Sequence, residues 1–471
     1  MCSNALDDDT LLLTFIALRQ WDLVHASHVC HRWRKLITRT ALLWCDVHDE
    51  PSYGLHHYNA PFYIALARSQ RADIRLIDDS RGFTSRSLKK HLVRTTGLVM
   101  KCDATDVEPE PFSTAGSDLP KYINSTTLPS LQHLSIHRIL FPIDSLESLT
   151  LRTLQVDIYD DGPSLNSLVR KFCKQPLTDL SLRFWSTSQR QFSELPRDVV
   201  DRLSSLTYVR IQGRRPPYQH SGLAHTTPLQ LLALPIPNVT VFDQWIDHYI
   251  TDIATPLRKA ATSLSSGPAD PPIWTVDVAH HNYDDFGRPA GLNLFRMTVK
   301  SSHGLERTVV CKWESILAEA LSNALAAEET QQLVLRGLIA WSALAEACSY
   351  TVSAAGYKLR ELVLMISQKS RSHHLDQNLA TLLRTTHRSR GNLATALPYL
   401  RTVILRAKPF EQVNVEIGEL LQLLQKLGLL QSDRTSEVRT AGVWLYGNLS
   451  DMPMPDHITL DTHVYEHPKQ I

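Results

Sequence analysis

The side chains in this sequence that could bind a metal or perform covalent chemistry are few, and their spacing suits neither task. His25, His28 and His31 recur every third residue beside Cys30. On a helix such a series drifts by about 60° per step, so it offers no shared ligand face, and no H-E-x-x-H accompanies it. No metal site is expected. Ser87 and Lys90 match a Ser-x-x-Lys nucleophile pattern whose companion motifs are missing, and the acidic pairs Asp160-Asp161 and Asp284-Asp285 sit in glycine-containing stretches that read as turns. The patterns G-x-S-x-G, G-x-G-x-x-G and the phosphate-binding G-x-x-x-x-G-K followed by Ser or Thr are absent. These absences predict a protein that is not an enzyme and needs no cofactor.

Charge excludes further classes. Against 49 basic residues stand 48 acidic ones, a formal net charge of +1, which removes the global attraction of a nucleic-acid or anionic-membrane binder. His31, Arg32, Arg34 and Lys35 follow Asp22 on a helix expected to run to Leu36, an arrangement open to a helix-turn-helix reading of DNA. The macrodipole favours basic residues near any helix C-terminus, however, and Leu, Cys and Trp on the opposite face already account for this helix. Neither nucleic acid nor membrane is expected as a partner. The apolar run from Leu11 to Leu18 follows Asp7, Asp8 and Asp9 rather than a positive segment, unlike a secretory signal. The run from Leu333 to Tyr350 contains Arg336 and Glu346, so no membrane span is expected. Seven cysteines without a C-x-x-C pair point to a reducing compartment, the cytoplasm or the nucleus.

The elements that would position binding residues are more legible. Residues 6 to 44 read as short helices: Leu11, Phe15 and Leu18 form one apolar stripe behind acidic N-terminal residues, and Leu23, Ala26, Cys30 and Trp33 form another with Asp22 as N-cap. About 40 residues is near the lower limit for burying a self-sufficient core. Leu12, Leu13, Ile16, Val24 and Val29 lie off those stripes, more apolar surface than one internal face absorbs, which marks a partner or a neighbouring domain.

Two helices, around residues 62–71 and 86–95, are expected next, then a Pro/Ser/Thr/Gly-rich stretch to residue 130. From Leu131 a pattern L-x-x-L-x-L returns: Leu131, Leu134, Ile136; Leu151, Leu154, Val156; Leu177, Leu180, Leu182; Leu206, Val209, Ile211; and more weakly Leu229, Leu232, Leu234. The spacing matches the period of leucine-rich repeats, each a short strand with a return segment. Beyond Pro235 the regularity weakens, with a helix expected over 242–261, a loop over 263–272 and helix over 313–355. Strands resume at Leu359, Leu362, Leu364 and at Leu400, Val403, Leu405, and 457–465 reads as a final edge strand. Residues between the inward leucines would face out on the concave side: His133, Ser135, His137, Thr153, Gln155, Asp157, Asp179, Ser181, Arg183, Tyr208 and Arg210. Their mixed charge suits a protein substrate, with His133, Ser135, Asp157, Asp179, Arg183, Tyr208 and Arg210 as the substrate-binding candidates.

The opening segment resembles the F-box family. Leu6, Leu11, Leu12, Phe15, Leu18, Asp22-Leu23, Val29-Cys30-His31-Arg32-Trp33-Arg34 and Leu43-Trp44 match its pattern in order and spacing over about 40 residues. Asp7 stands where that family has proline, and Asp9 where it has glutamate. The resemblance implies an α/β chain in which a three-helix F-box precedes an irregular leucine-rich-repeat solenoid: residues 1–48 the box, 49–103 connecting helices and first repeat strands, 104–130 a loop or partly disordered insertion, and 131–471 a degenerate repeat domain for substrate recognition. It implies a substrate receptor of an SCF-type ubiquitin ligase that binds the Skp adaptor and, through it, a cullin and a RING protein. Leu6, Leu11, Leu12, Phe15, Leu18, Leu23, Val29 and Trp33 would then be adaptor-facing or box-core residues. The alternatives are a repeat scaffold whose box no longer engages a ligase, and the helix-turn-helix regulator.

Overall fold

A computed structural model of the chain describes residues 6–49, 60–70, 72–78, 91–101, 123–137, 146, 148–158, 165–172, 176–184, 196–213, 229–243, 253–264, 273–283, 289–311, 314–350, 356–367, 379–385, 392–408, 411–431, 435–447, 455–461 and 464–465. The fold is mixed α/β, its sheets mostly parallel. The chain divides into two compact units, Met1–Gln191 with Pro196–Leu206, and Phe192–Leu195 with Thr207–Ile471.

The first unit opens with α1 (Asp8–Ile16), α2 (Gln20–Ala26), α3 (His31–Arg39) and a 3-10 turn at Ala41–Trp44. Asp7 caps α1, its carboxylate accepting the Thr10 backbone N–H at 2.7 Å. The expected helix from Asp22 to Leu36 is instead two: α2 starts at Gln20, with Arg19 at its N-cap position making no side-chain cap and Asp22 within the first turn, and a break at residues 27–30 lets the Cys30 thiol accept the Trp33 N–H and start α3. Leu11, Phe15, Leu23, Ala26, Ile37, Leu43 and Trp44 form the core. Phe15 meets the Trp33 ring edge-on at 5.2 Å between centroids, and Trp44 donates its indole N–H to the Ile37 carbonyl at 2.8 Å.

Strands begin at once. β1 (Asp46–Asp49) is followed by α4 (Ala60–Arg68), β2 (Ile74–Asp78), β3 (Thr95–Lys101), β4 (His133–His137), β5 (Thr153–Ile158) and β6 (Asp179–Phe184), all parallel and paired in chain order. The strand array therefore starts within the segment assigned above to the box. Register aligns Leu76, Leu98, Leu134, Leu154 and Leu180 in one inward row and Met100, Ile136, Val156 and Leu182 in the next. Every one of these nine is buried, and each fully buried leucine contributes about 1.5–3 kcal/mol, so the rows hold the strands together. Of the helix expected over 86–95, residues 86–90 lie outside the described residues, 91–92 are helical, 93–94 form a turn and Thr95 already opens β3; most of the stretch over 104–130 also lies outside the described residues.

In the second unit β7 (Tyr208–Gly213) and β8 (Asn238–Asp243) are parallel. Leu229 and Leu232 belong to a short helix, Leu229–Leu232, not to a strand. Pro235 and Pro237 lack the N–H a ladder needs, so the strand starts only after them. The helix expected over 242–261 is likewise displaced: Phe242 is in β8 and the helix is Ala254–Leu264. β9 (Trp274–Tyr283), β10 (Pro289–Ser301) and β11 (Glu306–Cys311) form an antiparallel insertion that joins β8 on one side and β12 (Thr330–Arg336) on the other, in parallel at both joints. β12 interrupts the helix expected over 313–355, splitting it into Glu314–Ala326 and Leu338–Ala347. Leu333 and Leu335 of β12 register with Leu362 and Leu364 of β13 (Glu361–Ile366), and this pairing overrides local helix propensity. β14 (Thr402–Ala407), β16 (Ser436–Ala441) and β18 (Ile458–Asp461) complete the parallel series. β15 (Val413–Glu416), β17 (Val443–Tyr446) and β19 (Val464–Tyr465) make a separate small parallel sheet, so the expected single edge strand over 457–465 divides between two sheets.

One residue breaks the inward row. Val209, Val239, Arg307, Val299, Val276, Leu333, Leu362, Val403 and Val438 align across successive strands, and Arg307 is as buried as its apolar neighbours.

The helix Ile417–Lys426 ends on Gly428 with φ +74°, where Gly428 N–H bonds the Gln425 carbonyl at 3.0 Å and Leu429 N–H the Leu424 carbonyl at 2.9 Å. A Cβ there would stand 2.6 Å from that of Ala394. Gly428→Ala is expected to destabilise the second unit by about 1–2 kcal/mol, read as a lower urea midpoint; an unchanged midpoint would refute this.

Candidate functional site

Two surfaces of the first unit gather the expected binding residues. The first is on the opening helices. Leu11, Phe15 and Leu23 are sealed in the core, Leu12, Leu18 and Trp33 are half-buried, and Leu6 and Val29 are exposed. Helical spacing flags Leu13 and Ile16 only as surplus apolar residues, yet they are the most exposed aliphatic side chains of α1, at 71% and 66%, with Val29 at 63%. Leu13 and Ile16 stand three apart and share a face. Arg32 ties the two ends of this surface together, bonding Asp8 Oδ1 from Nε at 2.9 Å and from Nη2 at 2.7 Å, and donating from Nη2 to the Leu6 carbonyl at 2.7 Å. Arg34 donates to the Ser27 carbonyl at 3.1 Å. Two of the four basic groups that a helix-turn-helix reading would aim at phosphate are therefore spent inside the bundle. His25, His28 and His31 are all exposed. Among the described residues no His, Cys, Asp and Glu cluster could hold a metal ion, and no described helix is long and apolar enough to cross a membrane.

The Thr10 backbone N–H, the largest influence on Asp7, holds that carboxyl below its ordinary value. A depressed folded-state value means that the cap's stabilisation is present above the unfolded carboxylate range, near pH 4, and is lost as pH falls through the lower folded value. Acidification is thus expected to lower the protection factor of the Thr10 amide, its exchange measured against the intrinsic rate at the same pH. In Asp7→Ala the exchange should already be fast at neutral pH; equal rates in both proteins would contradict the role.

The second surface is the outward face of β4, β5 and β6. Alternation of side chains puts His133, Ser135 and His137 beside Thr153, Gln155 and Asp157, and these beside Asp179, Ser181 and Arg183. A polar ladder runs across the strands. His133 Nδ1 lies 3.0 Å from Thr153 Oγ1, and Thr178 Oγ1 donates to Asp179 Oδ2 at 2.7 Å. Ser135 Oγ lies 2.7 Å from His137 Nε2 and 3.3 Å from Gln155 Oε1. Asp157 stands between two cationic or potentially cationic groups, with His137 Nδ1 3.5 Å from Oδ1 and Arg183 Nη1 3.5 Å from Oδ2.

Not all of this face is open. His133 is exposed, and Ser135 and Asp179 are half-buried, but Asp157 and Arg183 are buried together with His137. The expectation that Asp157 and Arg183 touch substrate directly is thereby corrected: mutual charge neutralisation lets them sit below the surface. Tyr208 and Arg210 lie half-exposed on β7 of the second unit. The pairs Ser87/Lys90, Asp160-Asp161 and Asp284-Asp285 lie outside the described residues.

A scan of the chain against protein-family models finds no match, and a search of curated proteins finds none either.

Proposed function

We propose that the chain is the substrate-recognition subunit of an SCF-type ubiquitin ligase, binding the Skp adaptor through its opening helices and a protein substrate through the polar faces of its strands, with the ubiquitin chemistry performed elsewhere in the assembly. The observation that carries this reading is the exposure of Leu13, Ile16 and Val29 on a bundle whose own core is already complete. Large aliphatic side chains standing free of the core suit the interior of a protein interface and repay burial there at about 25 cal/mol per Å². The resemblance of the same segment to the F-box pattern supports the Skp adaptor as that partner. Asp7, where the family has proline, starts α1 by capping it, so the departure preserves the helix that presents the surface.

The finer fold reading belongs here too. Parallel strands in chain order, register-equivalent leucines and helical or irregular returns support an irregular leucine-rich arc. The polar ladder of β4 to β6 supports recognition of a protein rather than of an apolar small molecule.

The test is co-expression of the full chain with the Skp adaptor followed by size-exclusion chromatography. Co-elution is expected. A folded chain that elutes without the adaptor would end the ligase reading.

A further inference from the structure

Ser135 and His137 are two apart on β4 and so occupy the same face, with Gln155 the register partner of Ser135 on β5. The serine hydroxyl is on Nε2 of the imidazole at 2.7 Å, and the Asp157 carboxylate is 3.5 Å from Nδ1 of the same ring. Hydroxyl, imidazole and carboxylate in that order, on opposite ring nitrogens, is the arrangement in which a neutral imidazole accepts the hydroxyl proton while the carboxylate orients the ring and balances its charge. At 3.5 Å the longer contact is a charge contact on the ring rather than a hydrogen bond.

Burial is graded to match. The hydroxyl is on a half-buried residue, whereas His137 and Asp157 are buried, so the proton acceptor and its orienting carboxylate are shielded behind a reachable oxygen. Arg183 Nη1 stands 3.5 Å from the far carboxylate oxygen, placing a positive charge on the side of Asp157 away from the ring. Gln155 Oε1 accepts from the Ser135 hydroxyl at 3.3 Å and holds that hydroxyl on the strand face beside the imidazole.

We propose that Ser135 is a nucleophile toward carboxylic esters, with His137 as its general base and Asp157 as a positioning residue, an activity separate from adaptor binding. Ser135 Oγ bonds to the acyl carbon, its proton passes to His137 Nε2, and the carbonyl electron pair moves onto the carbonyl oxygen. Collapse restores the carbonyl and breaks the ester C–O bond, and the departing alkoxide takes the proton from His137. Water then repeats the sequence on the acyl-serine, releasing the carboxylic acid and free Ser135.

The test uses the intact chain and an alkyl fluorophosphonate, which presents phosphorus in place of the acyl carbon and expels fluoride. Intact mass is expected to show one adduct, mapped to the peptide containing Ser135 and absent from Ser135→Ala. Labelling should be slower by about 100-fold in His137→Gln. The wild-type rate should rise with pH through one ionisation that His137→Gln lacks and that Asp157→Asn displaces, circular dichroism confirming that each variant is folded. No adduct at Ser135, or equal rates in wild type and His137→Gln, would overturn the proposal. If His137→Gln fails to fold, the wild-type profile decides: a pH-independent rate overturns it and a single ionisation supports it. A purely structural Ser135–His137 hydrogen bond would produce neither the adduct nor the pH dependence.

Discussion

Replacing Leu13 and Ile16 together by aspartate is expected to weaken capture of the Skp adaptor by about 100- to 1,000-fold while leaving the unfolding midpoint of the chain unchanged. Both side chains are more than half exposed, so the bundle itself loses little when they become polar. In a complex, each would place a carboxylate in a dry apolar contact, where truncation alone typically costs about 2 kcal/mol and an unpaired charge adds to it. Two such losses, at about 1.4 kcal/mol per tenfold, give that range. Titration of labelled adaptor into the folded double variant measures it. Unchanged affinity would mean that the exposed face of α1 is not the docking surface. Leu23→Asp cannot serve in its place: Leu23 is 1% exposed, and a charge there would unfold the opening helices and abolish binding for a trivial reason.

That contrast marks where sequence reading stops. On α1 the apolar residues surround the helix, with Leu11 and Phe15 turned inward and Leu13 and Ile16 outward. Periodicity recognises the stripe but cannot rank its rivals until α3 is packed against it. The strands β4 to β7 are legible because two inward positions on each must be apolar whatever their neighbours. β8 is misplaced by one element because Leu229, Leu232 and Leu234 imitate a strand that two prolines forbid. The β9 to β11 insertion goes unread because its partners are fixed by register between distant segments. Ser135 and Asp157 are each visible as outward residues, but their connection through His137 requires the β4–β5 pairing. The burial of Asp157 and Arg183 requires it as well.

Arg307→Met is expected to destabilise the second unit by about 3–5 kcal/mol, since each buried carbonyl left without a donor costs about 1–3 kcal/mol. Methionine approximates the length and volume of the side chain and suits the flanking Val239 and Val299, so the loss would come from hydrogen bonds rather than from a cavity. Arg307 donates from Nε to the Leu232 carbonyl at 2.8 Å and from Nη2 to that of Leu234 at 2.6 Å. From Nη1 it reaches Ile236 at 2.8 Å, Glu306 at 2.9 Å and Pro237 at 3.2 Å. Pro235 and Pro237 break the segment between the Leu229–Leu232 helix and β8, and one guanidinium with five N–H groups serves the Leu232, Leu234 and Ile236 carbonyls there, while the Pro237 carbonyl also accepts the Glu306 N–H. Burial pushes its pKa down to about 10. A base with a depressed folded value carries its desolvation penalty at every pH below that value and sheds it only above, so the destabilisation should be constant from pH 6 to 8. Arg307→Lys, with three donors on one nitrogen, cannot reach both sides of the turn and should recover less than half of the loss. Urea unfolding followed by amide exchange at β8 and β11 measures both variants. Wild-type stability in Arg307→Met would show that these carbonyls are satisfied without it.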